Sequence, residues 1–249
     1  MRPPPPWLRR TPLLREPMRR LYKRYAPTGP VLSTVEGLAW SLAPRDNKVD
    51  FDIWYKGRLE EAAERAFLAS MLRAGDVFVD IGANIGLYTI GLLAAVPGLS
   101  VVALEPLERV RTRLKHNLAL NHLADRASVR SEAVGPEGQR QLYESRNAGR
   151  SSLVPFAGSR PGEVIAVRPL ADLLDLPPAA LKIDVEGFED VALMPYFDAV
   201  GEERWPRAIV IETLHRKLWA RDCLQELFQR GYERVGETGE NALLARHTR

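Results

Sequence analysis

Two stretches gather the residue types that could do chemistry. In "LKIDVEGFED" (Leu181–Asp190), Lys182 and Asp184 alternate and Glu186 follows two residues later, where an apolar run meets a glycine. If the run is a strand, Lys182 and Asp184 share a face and Glu186 stands just beyond its end. Charged groups collected at the carboxyl end of a strand can position an acceptor and take up its proton. In "VFVDIGANIGLYTIGL" (Val77–Leu92), Gly82, Asn84 and Gly86 are spaced two apart behind Asp80, with Ala83 inside the turn. Strand, glycine-spaced turn and helix in that order suit a nucleotide-like cofactor.

The choice of cofactor follows from the acids. A dinucleotide fingerprint has glycine at the middle position and a wider gap to the last, and Asn84 departs from it. Asn tolerates left-handed backbone angles, so the tight turn survives. Asp80 closes the strand before the turn, where it disfavours a pyrophosphate and tolerates an ammonium and a sulfonium. Glu105 ends the next apolar run, where an acid accepts from both ribose hydroxyls. S-adenosylmethionine has the ribose and the cation and no phosphates; NAD fits Asp80 less well. Each residue has a plainer reading: Asp80 as a helix-loop cap, the glycines as turn geometry, Glu105 as a surface acid before Pro106. Their joint occurrence at consecutive strand ends favours cofactor binding.

Other candidates are weaker. His215 follows "IVIE" by three residues and could titrate near neutrality at the same edge, although a lone loop histidine is more often just solvated. Lys182 and Asp184 could be a plain ion pair, with Glu186 in a helix's first turn. Glu212 ends "IVIE" and with Asp184 and Glu186 could form an oxygen-rich site for Mg²⁺. No spacing demands one, and no metal is expected. His116 and His122 read as surface, His247 as tail, and Cys223 as helix packing. As the only cysteine, Cys223 excludes an intrachain disulfide. That suits a reducing compartment, and a cytoplasmic location is expected.

The positioning elements are legible as an alternation. With 45% hydrophobic and 27% charged residues, the 249-residue chain is of ordinary globular composition. "VEGLAWSLAP" and "VDFDIWY" read as strands joined by "RDNK", and Leu59–Leu72 as a helix. Strands follow at Val77–Ile81, Val101–Leu104, Ser128–Val134, Leu181–Val185 and Ala208–Glu212. Helices between and after them fall at Leu87–Ala95, Arg109–Asn121, Phe188–Ala199 and Asp222–Arg230, with a short helix in "RPLADLL". Closing strands lie near Tyr232–Val235 and Ala242–Ala245. This pattern predicts an α/β fold, a doubly wound, mostly parallel sheet with an antiparallel edge hairpin. Gly135–Gly162 reads as a long polar insertion, with short strands expected at Gln141–Tyr143 and Val164–Val167, and its "ESRNAGRSSLVP" as either a lid carrying Asn147, Arg150, Ser151 and Ser152 or a disordered loop.

Residues 1–30 hold eight prolines, eight Arg or Lys and one acid, a charge of +7; the remainder has 27 basic and 31 acidic residues, or −4. The expected organisation is a basic, Pro-rich, partly disordered tail over 1–30 and one domain over 31–249. Residues 1–16 read as extended. "PMRRLYKRY" reads as a short helix with Pro17 in its first turn, packed on the domain or in weak contact with a membrane surface. "MRPPPPW" lacks the apolar run of a signal peptide. The longest apolar run, Leu92–Leu104, is too short and interrupted to span a bilayer.

Taken together, "VDIGANIGLYT", "ALEPLERVRTRLKHNLALN", "EAVG", "LKIDVEGFE" and "IVIET" resemble the successive motifs of FkbM-type methyltransferases, and "WYKGRLE" resembles their entry segment. The resemblance runs from about Val49 to His215. It implies a Rossmann-like class I methyltransferase fold and S-adenosylmethionine as donor. It also implies an O-methylated acceptor, usually a glycan, lipid-linked molecule or small secondary metabolite. Mapped here, it puts Asp80, Gly82, Asn84 and Gly86 at the methionine end, Glu105 at the ribose and the Ala133 backbone near the adenine. It also turns Glu60 toward the pocket. Methyltransferases acting on exocyclic amines of nucleic acids carry an Asp/Asn-Pro-Pro-aromatic motif where this chain has "DVEG". That, with the slightly acidic body, argues against a nucleic-acid partner, although the basic tail counts mildly for one. A non-catalytic binder is the other alternative.

Overall fold

The computed structural model describes Pro5, residues 12–145 and residues 151–246, with side chains from residue 17 of the first helix. The readings made for Asn147, Arg150 and His247 lie outside the described residues.

Helix α1 (Pro12–Tyr25) starts five residues before the position expected from Pro17, which lies inside it. Residues 12–16 are therefore helical rather than extended, with Pro12 in the first position, where a missing N–H costs nothing. The helix packs on the domain: Tyr22 is buried against the rings of Trp54 and Tyr55, and Arg19 pairs with Asp52 at 2.9 Å. Strands β1 (Val31–Val35) and β2 (Leu38–Leu42) form an antiparallel hairpin. "VDFDIWY", expected as a strand, is instead helix α2 (Lys48–Lys56). Asn47 caps it by accepting from the Val49 N–H at 2.8 Å, and Gly57 ends it at φ 62°. Phe51, Trp54 and Tyr55 then share a buried stripe at helical spacing, which outweighs their preference for strands.

Helix α3 (Ala62–Met71) leads into the alternation: β3 (Val77–Ile81), α4 (Leu87–Ala95), β4 (Ser100–Leu104), α5 (Glu108–Leu120) and β5 (Ala127–Arg130). After an inserted sheet come β10 (Ala180–Ile183), α6 (Glu189–Ala199), β11 (Ala208–Glu212), α7 (Cys223–Gln229) and the closing hairpin β12 (Tyr232–Thr238) and β13 (Asn241–Arg246). "RPLADLL" makes only a short 3₁₀ turn over Leu170–Leu173. The main sheet runs β5-β4-β3-β10-β11-β13-β12. Its first five strands are parallel, β13 runs against them and β12 pairs antiparallel with β13, the expected doubly wound class I methyltransferase arrangement with an edge hairpin.

β3, β10 and β11 are apolar on both faces because helices cover both. Phe78 packs with Ile90 and Leu114 on one side, while Val79, Ile81, Leu181 and Ile183 pack with Leu193 on the other. From β3 the chain winds outward through β4 to β5, then returns to the other side of β3 as β10. The reversal opens a crevice at the carboxyl ends of β3, β4 and β10, the usual ligand position in such sheets.

The polar insertion is folded. β6 (Ala133–Val134), β7 (Gly138–Ser145), β8 (Ser151–Ser152) and β9 (Ser159–Arg168) form a second sheet, β6-β9-β7-β8. The strand expected over Ser128–Val134 is split, its last two residues leaving the main sheet to pair with β9. Among the described residues, no helix is long and apolar enough to cross a membrane.

Candidate active site

A cleft of about 800 Å³, counted out to its open mouth, lies over the crevice. Its floor is made by the ends of β3, β4 and β10 and its roof by Leu142, Ser152 and Leu153 of the second sheet. Gly82, Asn84, Glu105 and Ala133 line it together with Asp184 and Glu186. Leu104, Leu107, Val110 and Val134 make the Glu105 end largely apolar.

The turn after β3 is held by backbone geometry. Gly82 has φ 76° and Asn84 φ 49°. A Cβ on Gly82 would fall 2.0 Å from the Asp184 carbonyl oxygen, so only glycine lets the two strand-end loops meet. Asn84 accepts from its neighbour Ile85 N–H at 2.9 Å and from the Asn47 side-chain amide at 2.6 Å. Glu105 is bonded into the same turn: one oxygen accepts from the Asn84 N–H at 3.0 Å and the other from the Leu107 N–H at 2.9 Å. Burial pushes the Glu105 carboxyl up to about 7 despite those bonds.

Three residues expected at the cofactor do not reach the wall. Asp80 is fully buried and accepts from the Thr89 hydroxyl at 2.6 Å and the Thr89 N–H at 3.2 Å, the plainer capping role. Gly86, at φ 97°, is glycine because a Cβ there would meet Leu114 at 2.5 Å, so its reason is helix packing. Ala83 is buried, its N–H donating to the Leu104 carbonyl at 3.0 Å. Glu60 pairs with Lys56 at 2.7 Å, off the cleft wall. Its neighbour Glu61 accepts instead from the Tyr88 hydroxyl.

Lys182 is also behind the wall. Its ammonium donates to the Gly82 carbonyl at 2.8 Å, lies 3.7 Å from both Asp80 and Asp184, and stands 5.4 Å from the Tyr88 ring centre. Burial alone would lower its pKa, but Asp184, Asp80 and Glu61 outweigh that and hold it charged. The ammonium thus ties the loop after β3 to the loop after β10. Asp184, with 39% of its side chain exposed, faces the cleft.

The loop after β10 is strained. Glu186 has φ 57°, uncommon for a residue with a Cβ, and Gly187 follows at φ 98°. Glu189, which sequence reading passed over, holds this loop: its carboxylate accepts from the Val185 and Gly187 N–H groups and from Trp219 Nε1 at 2.7 Å. An acid three residues after a strained turn, at a helix start, was its available signal. Ser152 Oγ donates to the Glu186 carbonyl at 3.0 Å, joining roof to loop. The Glu186 carboxylate lies 3.1 Å from His215 Nε2. The structure therefore brings Glu186 and His215 together from two strand ends, and lines the cleft with Asp184 and Glu186 but not His215. Asn47 and the apolar Leu107 and Val110 also came from outside the sequence reading. Asn47 lies before a helix mistaken for a strand, and apolar residues carry no motif.

Residues 80–234, more than half of the chain, match the family described as "Methyltransferase FkbM domain". The chain belongs to that family. The methyl donor of this FkbM methyltransferase domain is S-adenosylmethionine. The lining suits such a donor in its chemistry: the apolar Leu104, Leu107 and Val110, the buried Glu105 carboxyl, and the carboxylates of Asp184 and Glu186. A curated relative, the tRNA wybutosine-synthesizing protein 2 homolog of Bos taurus, is 32% identical over 145 residues, 57% of this chain and 31% of that protein. The chain thus spans about a third of that relative's length. Two similar solved structures are an S-adenosylmethionine-dependent O-methyltransferase from Thermotoga maritima and an rRNA methylase from Streptococcus thermophilus. The first has a TM-score of 0.47 at 14% identity, covering 90% of this chain and 95% of that one. The second has 0.46 at 13%, covering 75% and 95%.

Proposed function

We propose that this FkbM domain transfers a methyl group to a hydroxyl oxygen of a small, lipid-linked or glycan acceptor lying over the ends of β10 and β11. The donor supplies an electrophilic methyl carbon on a sulfonium. In this reading Gly82 and Asn84 cradle its amino-acid end, Glu105 accepts from the ribose hydroxyls, and the base lies between Leu107, Val110 and the Ala133 backbone. Each Glu105 oxygen has one lone pair still open beside the backbone N–H it accepts. Asp184 takes up the acceptor proton, and Glu186 and His215 orient the acceptor. Lys182 and Asp80 act on these groups from behind, by fixing the two loops.

The observation that carries this reading is the cleft that joins the Glu105 wall to Asp184 and Glu186. The two acids that line the cleft there, Asp184 and Glu186, would repel a phosphate backbone, which favours a hydroxyl acceptor over a nucleic acid. The similarity to the tRNA wybutosine-synthesizing protein 2 homolog favours a second reading, an RNA acceptor brought in by the basic residues before position 30. Both are tested by incubating the full chain with methyl-labelled S-adenosylmethionine and either a panel of hydroxylated glycans and lipid-linked sugars or total RNA. Label in base-stable ethers of the first panel, lost in Asp184→Asn while donor binding persists, is the expected result. Label only in RNA would replace this reading with the second.

A further inference from the structure

The acids beyond the cleft floor make an unusual group. Glu212, at the end of β11, is 95% buried, and one carboxylate oxygen has no hydrogen-bond partner in the structure. A buried, unsatisfied carboxylate oxygen costs folding free energy unless something else binds it. Its surroundings are mainly further acids, with Lys182 as the nearby cation. Ligand atoms of Glu186, Glu212 and His215 all lie within 4.8 Å of one another, and those of Asp184, Glu189 and Glu212 do likewise. Burial and the charges of Asp184, Glu189 and Glu186 push the Glu212 carboxyl up to about 10. Lys182, which also feels the Glu212 charge, pairs with Asp184 and Asp80 and is held by the Gly82 carbonyl.

Within the two triads the roles differ. Glu189 accepts from two backbone N–H groups and the Trp219 indole and shares a side-chain hydrogen bond with Glu212, so it fixes the loop and borders the site. Glu186 and His215 face each other at 3.1 Å. Adjacent ligands of an octahedral ion with bonds of about 2.1 Å are about 3 Å apart, so this spacing suits two neighbouring positions in one shell. Two carboxylates and one imidazole, carried by the strained loop after β10 and by the end of β11 with the residues following it, form a donor set for a hard to borderline divalent cation such as Mn²⁺ or Mg²⁺.

We propose that Glu186, Glu212 and His215 bind one divalent cation just beyond the cleft floor, beside the point where Glu186 lines the cleft, with the orphaned Glu212 oxygen as the central ligand. The proposal deepens the hydroxyl-acceptor reading and rests on it for the ion's role. The ion would fill its remaining positions with water or with acceptor oxygens, and a hydroxyl bound to it ionises more readily. Asp184, outside this ligand set, remains placed to take the proton.

The test uses the chelator-treated full chain and Mn²⁺, followed by electron paramagnetic resonance of the free aquo ion. The wild type is expected to take up one Mn²⁺ per chain below roughly 1 mM, with Mg²⁺ competing. Glu212→Gln should weaken uptake about 100-fold and His215→Ala about 10-fold. Unfolding of the metal-free Glu212→Gln protein, recorded in parallel, should occur at no lower temperature than wild type, because a buried and repelled acid has been replaced by its neutral isostere. Absence of Mn²⁺ uptake at 1 mM, or unchanged uptake by Glu212→Gln, overturns the proposal. S-adenosylmethionine binding measured on the same samples separates the two readings. A protein that binds the donor but not Mn²⁺ has lost only the cation site, and one that binds Mn²⁺ through Glu212 but not the donor has lost only the methyl-transfer reading.

Discussion

Glu105 shows how one residue couples stability to ligand binding. Its carboxyl rises from 4.5 to about 7 on folding, mainly through burial. Between those values the native state binds more protons than the unfolded chain. The contribution is full below about pH 4.5 and is lost as pH rises through 7, by roughly 3 kcal/mol. Glu105→Gln should flatten that fall, which denaturant unfolding between pH 4 and 8 would record; an unchanged slope would mean the carboxyl is not buried as described. The same substitution should weaken S-adenosylmethionine binding at pH 8 by about 2 kcal/mol, the scale of a hydrogen bond to a charged group, as read by calorimetric titration. Gly82→Ala acts differently, by driving a methyl into the Asp184 carbonyl 2.0 Å away. A loss of about 2–4 kcal/mol in denaturant unfolding is expected, because backbone on both sides must shift. The Glu105 and Gly82 positions were legible from spacing after strands. The retreat of Asp80, Ala83 and Gly86 from the wall was not, since whether a loop residue faces ligand or core depends on how closely helix α4 packs.

Among the elements, helix α2 links the entry segment to the cofactor turn through one residue. Asn47 caps α2 with its carbonyl oxygen and gives its amide to Asn84. Asn47→Ala should cost about 1 kcal/mol in unfolding free energy for the lost cap. It should also weaken donor binding, which Asn47→Asp, able to cap but not to donate, would share without the same loss of stability. If Asn47→Asp binds the donor like wild type, the Asn47–Asn84 bond does not support the turn. The strand reading of "VDFDIWY" failed here because β-branched and aromatic residues fit either period over seven residues. The cap at Asn47 and the stop at Gly57 decide it. Expectations for α4, β3 and β11 matched to the residue, since long apolar runs bounded by glycine or acid leave little choice. In the insertion the short strands expected at Gln141–Tyr143 and Val164–Val167 lie within longer ones, whose polar ends carry no alternation to mark them.

For the molecule as a whole, donor binding at the switch point joins both halves of the sheet and should stabilise them together. At a hundred times its dissociation constant, S-adenosylmethionine should add about 2.7 kcal/mol, raising the unfolding temperature by roughly 5–10 °C. NAD under the same conditions should leave it unchanged in differential scanning fluorimetry. A shift with NAD as large as that with S-adenosylmethionine would contradict the fit of this cleft. The sequence by itself determined the alternation, the parallel sheet, the cofactor turn and the acids at the strand ends, because hydrophobic period and glycine placement are local and strongly constrained. Only the tertiary structure decided which of those acids meet. Glu212 and His215 follow one strand and Glu186 another, and their approach depends on the parallel pairing of β10 with β11 and on a loop held in left-handed backbone by Glu189. Pairing and loop shape are long-range properties, fixed by packing across the whole sheet rather than by any stretch of neighbouring residues.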